Sequence, residues 1–356
     1  MFKKISGSAK NMKQLAETRW QDWRNDFAES NRWVRLALLA VILYLLLAII
    51  MGIFWSFEPD GFDVREAALA EVGSEDKVVT GVVTTSALIT VVDTLLNKPG
   101  GYLSNDVAPP GLWLDNIPNW EYGVLIQVRD LTKAMREAYS RSQSQSTEDK
   151  DLASAEPQFN FDNRSWLLPP SEKEYGDGVK FLRAYLKRLS DPEQPSAQFY
   201  TRADNLNYWL STVETRLGSL SQRLSASVGQ KRLNTDLAGA PGATNATRMP
   251  SELEVKTPWM EIDDVFYEAR GTAWALMHFL KAMEMDFADV LEKKNALVSV
   301  QQIVRELEGT QQTVYSPMIL NGSGFGMLAN HSLVMANYIS RANAAIIDLR
   351  ELLKQG

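Results

Sequence analysis

Cysteine is absent from the 356 residues, and His278 and His331 are the only histidines. The first absence excludes disulfides, thiolate nucleophiles and cysteine metal sites, and the second excludes a three-histidine metal centre within one chain. No metal and no cofactor is expected. Clustered positive charge is also missing from most of the chain. Residues 1–35 carry eight basic and four acidic side chains, net +4, leaving 29 basic against 40 acidic for the rest, net −11. So acidic a body lacks the Lys and Arg surface that displaces counterions, so nucleic acid is not an expected partner. The glycines of "NGSGFG" (321–326) follow no apolar strand and precede no Lys-Ser/Thr pair, so neither dinucleotide nor phosphate-loop chemistry is indicated. A nucleophile elbow is absent too.

What is present is one long apolar run. Leu36 to Trp55, "LALLAVILYLLLAIIMGIFW", holds 20 residues without a charge. At about 1.5 Å per residue it spans about 30 Å, the thickness of a bilayer's hydrocarbon core. Trp33 and Trp55 mark its ends, where amphipathic rings prefer the interface. Arg32 and Arg35 precede it, and "FEPDGFDVREAALAEVGSED" after it carries seven acids and one base. This asymmetry predicts an uncleaved, single-pass anchor with a cytoplasmic N-terminus. The expected division is a short basic cytoplasmic segment (1–35), a transmembrane helix (36–55) and an exported domain (56–356). In the first segment Leu15, Trp20, Trp23 and Phe27 suggest an amphipathic helix.

The exported part reads as mostly α, a helical bundle with long antiparallel helices and irregular loops. Apolar positions in 78–96 fit a helical face better than strict alternation, although its β-branched residues leave a strand open. Residues 98–123, "KPGGYLSNDVAPPGLWLDNIPNWEYG", are dense in turn formers and read first as a connection, with Asn119 as cap of the next helix. Residues 141–158 are polar enough to be a mobile excursion. Further helices are expected at about 171–190, 195–228, 259–309 and 325–354. Residues 231–257 would form a linker that could divide the domain into 56–230 and 258–356. Val290, Leu297 and Val304 recur every seven residues, as do Leu328, Met335, Ala342 and Leu349, predicting an antiparallel hairpin.

Chemistry-bearing residues are sparse. Asp264 and Glu268 lie one turn apart and could share a proton or a cation, although acids at a helix start also complement its dipole. With Arg270 and His278 they form one candidate polar site. His331 shares a seam row with Leu328 and Met335 and reads as a core histidine. Tyr267, Gly271, Trp274 and His278 form a second stripe beside Phe266, Ala269, Ala273, Leu276 and Leu280, as in the buried centre of a domain, with Gly271 permitting close backbone approach.

Four blocks, "VVDTLLNKPGGYLSND", "PPGLWLDNIPNWEYGVLIQVRDL", "DDVFYEARGTAWALMHFLKAMEMDF" and "KNALVSVQQIVRELEGTQQ", resemble an uncharacterised family of Gram-negative bacteria, domain-of-unknown-function family 2333. The resemblance covers nearly the whole chain from the anchor onward. It implies an inner-membrane protein with a periplasmic domain and supplies no catalytic residues.

The favoured expectation is a non-enzymatic envelope protein, anchored in the bilayer by one helix, whose periplasmic domain binds a protein, envelope polymer or lipid. A second copy of the chain is a further candidate partner. Trp113, Asn116, Trp120 and Glu121 are its candidate contact residues, as surface aromatics and turn groups. The alternative is a hydrolase or lyase of cell-wall glycan, in which acids from 106–121 meet those of 261–268 across a cleft, one with its pKa raised by burial.

Overall fold

The computed structural model describes residues 18–21, 31–142, 147–191, 193, 196–233, 252–316, 318–322 and 327–355. They fall into two compact units, Met1–Phe54 and Trp55–Gly356. In the first, Thr18–Gln21 is helical, while Leu15, Trp23 and Phe27 lie outside the described residues. Helix α1 (Arg32–Trp55) is, among the described residues, the one helix long and apolar enough to cross a membrane. It begins four residues before the uncharged run, and Arg32 lies over the ring of Trp33.

Among the described residues, the regular elements of the second unit are helices apart from one short strand pair and the isolated bridge Asn321–Asn330. Helix α2 (Val64–Val72) starts where the Asp63 carboxylate accepts from the Arg65 and Glu66 amides, and ends at Gly73 in the left-handed conformation. The 78–96 stretch resolves as helix α3 (Val82–Asn97), buried on nearly every side. The hydroxyls of Thr85 and Thr94 fold back to donate to the carbonyls of Gly81 and Thr90, so a threonine-rich run can sit in a core. Asp286 caps α3 from across the fold, accepting from the amides of Gly81 and Thr84 and the Thr84 hydroxyl.

Helix α4 (Asn116–Ala134) widens into a π turn at Met135–Tyr139. Its cap is Asp115, not Asn119. Pro118 falls in the first turn, where the missing N–H would have had no partner anyway, so the helix runs through it. Of residues 141–158, those from 149 onward are not an excursion. Asp149 caps helix α5 (Lys150–Phe159), which buries Leu152, Ala155 and Phe159 against helix α6 (Ser171–Leu189). Their spacing gives one apolar stripe on a segment polar elsewhere; residues 143–146 lie outside the described residues. Helix α7 (Ala203–Ser225) is shorter than expected, because 196–202 runs extended, with the Tyr200 amide donating to the Tyr139 carbonyl.

Strands β1 (Gln230–Leu233) and β2 (Glu252–Val255) pair antiparallel, Gln230 opposite Val255, at the two ends of the expected linker. The linker does not divide the domain, since helices before it pack on helices after it. The expected helix 259–309 is three: α8 (Ile262–Asp286), α9 (Ala288–Lys293) and α10 (Leu297–Gly309). The breaks fall where Asp286 turns to cap α3 and where Asn295 takes a positive φ of 51°. Helix α11 (His331–Lys354) buries Met335, Ala342 and Leu349 as the seven-residue repeat predicts, against α7 as well as α10. Leu328 precedes the helix and is exposed. His331 stands at the helix start, not in the seam, its Nδ1 accepting from the Leu320 amide.

Helix α8 is the centre, touching α2, α3, α4, α7, α10 and α11. It crosses α4 backbone to backbone: a Cβ on Gly271 would stand 2.0 Å from the Trp120 carbonyl oxygen, and one on Gly123 2.1 Å from that of Glu268. Gly271 therefore does allow the close approach read from its place in the stripe.

Candidate functional site

The 98–123 stretch folds around a buried carboxylate. Glu121 accepts from the Lys98 ammonium, from the amides of Leu103 and Ser104 at 2.8 Å each, and from the Ser104 hydroxyl. Lys98 also donates to the Gly101 carbonyl. Both side chains are sealed from solvent. Burial pushes the Glu121 carboxyl up, against the opposing pull of Lys98, Ser104 and Leu103. Trp120 is fully buried, 5.2 Å from the ring of Trp274. Trp120 and Glu121 are therefore not surface contacts. They form the interior support of the loop, because a helix that crosses α8 at glycine contact must bury the face carrying them.

This support presents a cleft of about 600 Å³. Asp106 and Asp115 of the loop, Asp264 and Glu268 of α8, and Asn163 and Arg164 of the turn before α6 all line it, with Asn119, Tyr122 and the apolar Leu112, Leu114 and Pro118 between them. The α6 turn is brought in by two bonds, Tyr102 hydroxyl to the Asn163 carbonyl (3.0 Å) and the Asn105 amide to the Ser165 carbonyl (2.8 Å). Asn119 donates one hydrogen bond back to the Asp115 carbonyl and one across to Asp264 at 2.7 Å, tying the two walls together.

The four acids are not equivalent. Burial, then the neighbouring Asp263, Asp115, Glu261 and Glu268, pushes the Asp264 carboxyl up to about 6. Burial also raises Asp106, with Glu172 adding and Lys98 opposing. Glu268 is held by Arg223 through both guanidinium terminal nitrogens, at 2.7 Å for Nη1. Asp115 accepts from the Asn116 amide at 2.9 Å. The cleft thus sets a carboxyl that carries a proton at mildly acidic pH among further carboxylates and carboxamides, the arrangement that hydrogen-bonds hydroxyls and amines and can move a proton. Among the described residues, no group of three or more His, Asp or Glu is placed to hold a metal ion.

The candidate polar site of α8 divides in two. Asp264 and Glu268 face the cleft, whereas Arg270 and His278 face the segment that follows α1. Arg270 binds Glu58 through Nε (2.7 Å) and Nη2, and the carbonyls of Thr310 and Gln312 through Nη1. The His278 Nδ1–H donates to the Trp274 carbonyl at 2.7 Å, and its Nε2 accepts from the Phe62 amide at 3.0 Å. Both are structural clamps, because residues 267–278 spaced three and four apart lie roughly a right angle around the helix from 264 and 268.

The model of a family described as an uncharacterized protein conserved in bacteria (DUF2333) matches residues 27–356. The chain belongs to DUF2333. No curated protein and no solved structure matches it.

In this DUF2333 chain, Trp113 is half-exposed in the turn Gly111–Trp113 and Asn116 opens α4, but neither lines the cleft. Asn163, Arg164 and Arg223 had no local signal: each is an ordinary polar residue until α6 and α7 are packed. The loop acids had a signal in their density, but not one that selected Asp106 and Asp115 as partners for Asp264.

Proposed function

We propose that this chain is a single-pass protein of the bacterial inner membrane, N-terminus cytoplasmic, whose Trp55–Gly356 unit binds an envelope glycan in the acidic cleft on the periplasmic side. The orientation is supported by Arg32 and Arg35 ahead of α1 and by seven acids against one base after it. The binding reading is carried by one observation: three distant chain segments converge on one cleft that mixes carboxylates, carboxamides and apolar walls. Such a lining fits a polyhydroxylated polymer better than a phosphate, for which acids are the wrong charge. Calorimetric titration of the full chain in detergent with glycan strands released from sacculi tests it. Asp106→Asn/Asp115→Asn is expected to weaken binding at least about tenfold, two charge-assisted hydrogen bonds being lost. Affinity unchanged in this variant, or no binding by the native chain, overturns it.

The raised Asp264 carboxyl supports a second reading, hydrolysis or lyase cleavage of the same polymer, with Asp264 as acid and Asp106 or Asp115 as base. Chromatography of glycan strands after incubation separates the two readings. New fragments that vanish with Asp264→Asn favour the enzyme; binding without fragments leaves the binding module.

A further inference from the structure

We infer that the surface carrying Tyr315, Met327, Leu328 and Val334 rests on the bilayer. The inference depends on the reading of α1 as a membrane span. A cavity of about 340 Å³ is walled by Phe266, Val314, Tyr315, Val334, Met335 and Tyr338. Two of its walls stand in the open, Tyr315 at 93% exposure and Val334 at more than half, and so do Leu328 and Met327, three and four residues before His331 of the same wall. Met327 and Leu328 lie just beyond the place where Leu320–Gly322 pairs with Ala329–His331. Several large apolar groups exposed on one cavity wall and in the chain leading to it mark a surface with a partner.

Chain reach and charge both select the bilayer as that partner. The cavity shares Arg270, Thr313 and Val314 with a neighbouring one walled by Ser56–Gly61. Arg270 is bound to Glu58, only three residues past Trp55, the last residue of α1. Three residues of chain reach at most about 10 Å. Phe57, in the same segment, is likewise exposed. In a chain whose residues beyond 35 carry net −11, no carboxylate lines this cavity, and of the two that line its neighbour, Glu58 and Asp60, the first is paired with Arg270, so an anionic lipid surface meets little like charge there. Tyr and Met suit the headgroup boundary, and tethering through α1 keeps even a weak contact occupied.

The absence of cysteine permits a direct test. Four single-cysteine variants of the full chain, Leu43→Cys in α1, Tyr315→Cys, Met327→Cys and, as a water-exposed control on the polar face of α6, Lys180→Cys, carry an environment-sensitive fluorophore in phosphatidylethanolamine–phosphatidylglycerol proteoliposomes containing doxyl-labelled lipid. Labels at 315 and 327 are expected to be quenched at least half as strongly as that at 43, and the label at 180 scarcely at all. Strong quenching at 43 with quenching at 315 and 327 no greater than at 180 overturns the bilayer contact and leaves the span intact. No quenching at 43 overturns the span and the contact together.

Discussion

Arg270 and His278, two turns apart on α8, attach the residues after α1 to the centre of the fold. Burial, against the raising effect of the Trp274 carbonyl, pulls the His278 imidazole down from 6.5 to about 4, so the ring is neutral at ordinary pH. Between those values the unfolded chain binds the proton and the native one does not. Stability from this residue is therefore full above pH 6.5 and lost as pH falls toward 4. His278→Leu is expected to cost about 1–3 kcal/mol at pH 7.5, chiefly from the stranded Phe62 amide, and to flatten this pH dependence. Urea titrations of the full chain in detergent at pH 4.5 and 7.5 measure both; an unchanged slope sinks the assignment. Asp264 works in the opposite sense, its carboxyl raised from 3.8 to about 6. Its ionisation costs the native state stability as pH rises through that window, so Asp264→Asn should gain on the native chain in melting temperature from pH 4 to pH 7. The buried Lys98–Glu121 pair gives a third residue-scale outcome. Glu121→Gln leaves an ammonium without its counter-charge and is expected to cost about 3–5 kcal/mol, whereas Lys98→Met/Glu121→Gln, which removes that ammonium and keeps an oxygen for the Leu103 and Ser104 amides, costs less. Equal losses in the two would show that the pair's charge is not what matters.

At the scale of elements, the crossing of α4 and α8 controls the cleft, because it sets the spacing between the loop acids and Asp264. Helix propensity alone makes Gly→Ala favourable by about 1 kcal/mol. At Gly271 the added methyl meets a carbonyl oxygen of another helix at 2.0 Å, and neither backbone can give way without moving the pair. Gly271→Ala is expected to lose at least about 3 kcal/mol or fail to fold. Gly176→Ala on α6, where no atom outside its own helix lies within 4 Å of the added Cβ, is expected to stabilise by up to about 1 kcal/mol. Thermal melts of the two variants side by side decide it, and similar melting temperatures would refute the close crossing. Elements with one clean apolar stripe, such as α6 and α11, were legible within a few residues because a 3.6-residue period is a local property. The break of 259–309 was not: the side chain of Asp286, the last residue of α8, caps α3 some two hundred residues earlier in the chain, and no window of sequence contains both ends of that bond.

For the whole molecule, the proposed orientation makes a simple forecast. A cysteine at Trp166, an exposed position, should react with a membrane-impermeant maleimide in cells whose outer membrane alone is permeabilised. A cysteine at Lys10 should react only after the inner membrane is broken. The reverse pattern would place the acidic unit in the cytoplasm and remove the glycan reading with it. The sequence by itself determined the apolar span, the charge asymmetry across it, the helical class and the central place of α8, since each depends on residues near one another in the chain. Tertiary structure alone decided that Trp120 and Glu121 are interior, that Arg270 and His278 are clamps, and that Asp106, Asp115 and Asp264 share a cleft. Which face of an amphipathic segment is covered, and by what, depends on contacts between residues far apart in sequence, and burial and neighbouring charge then assign each carboxyl its chemistry.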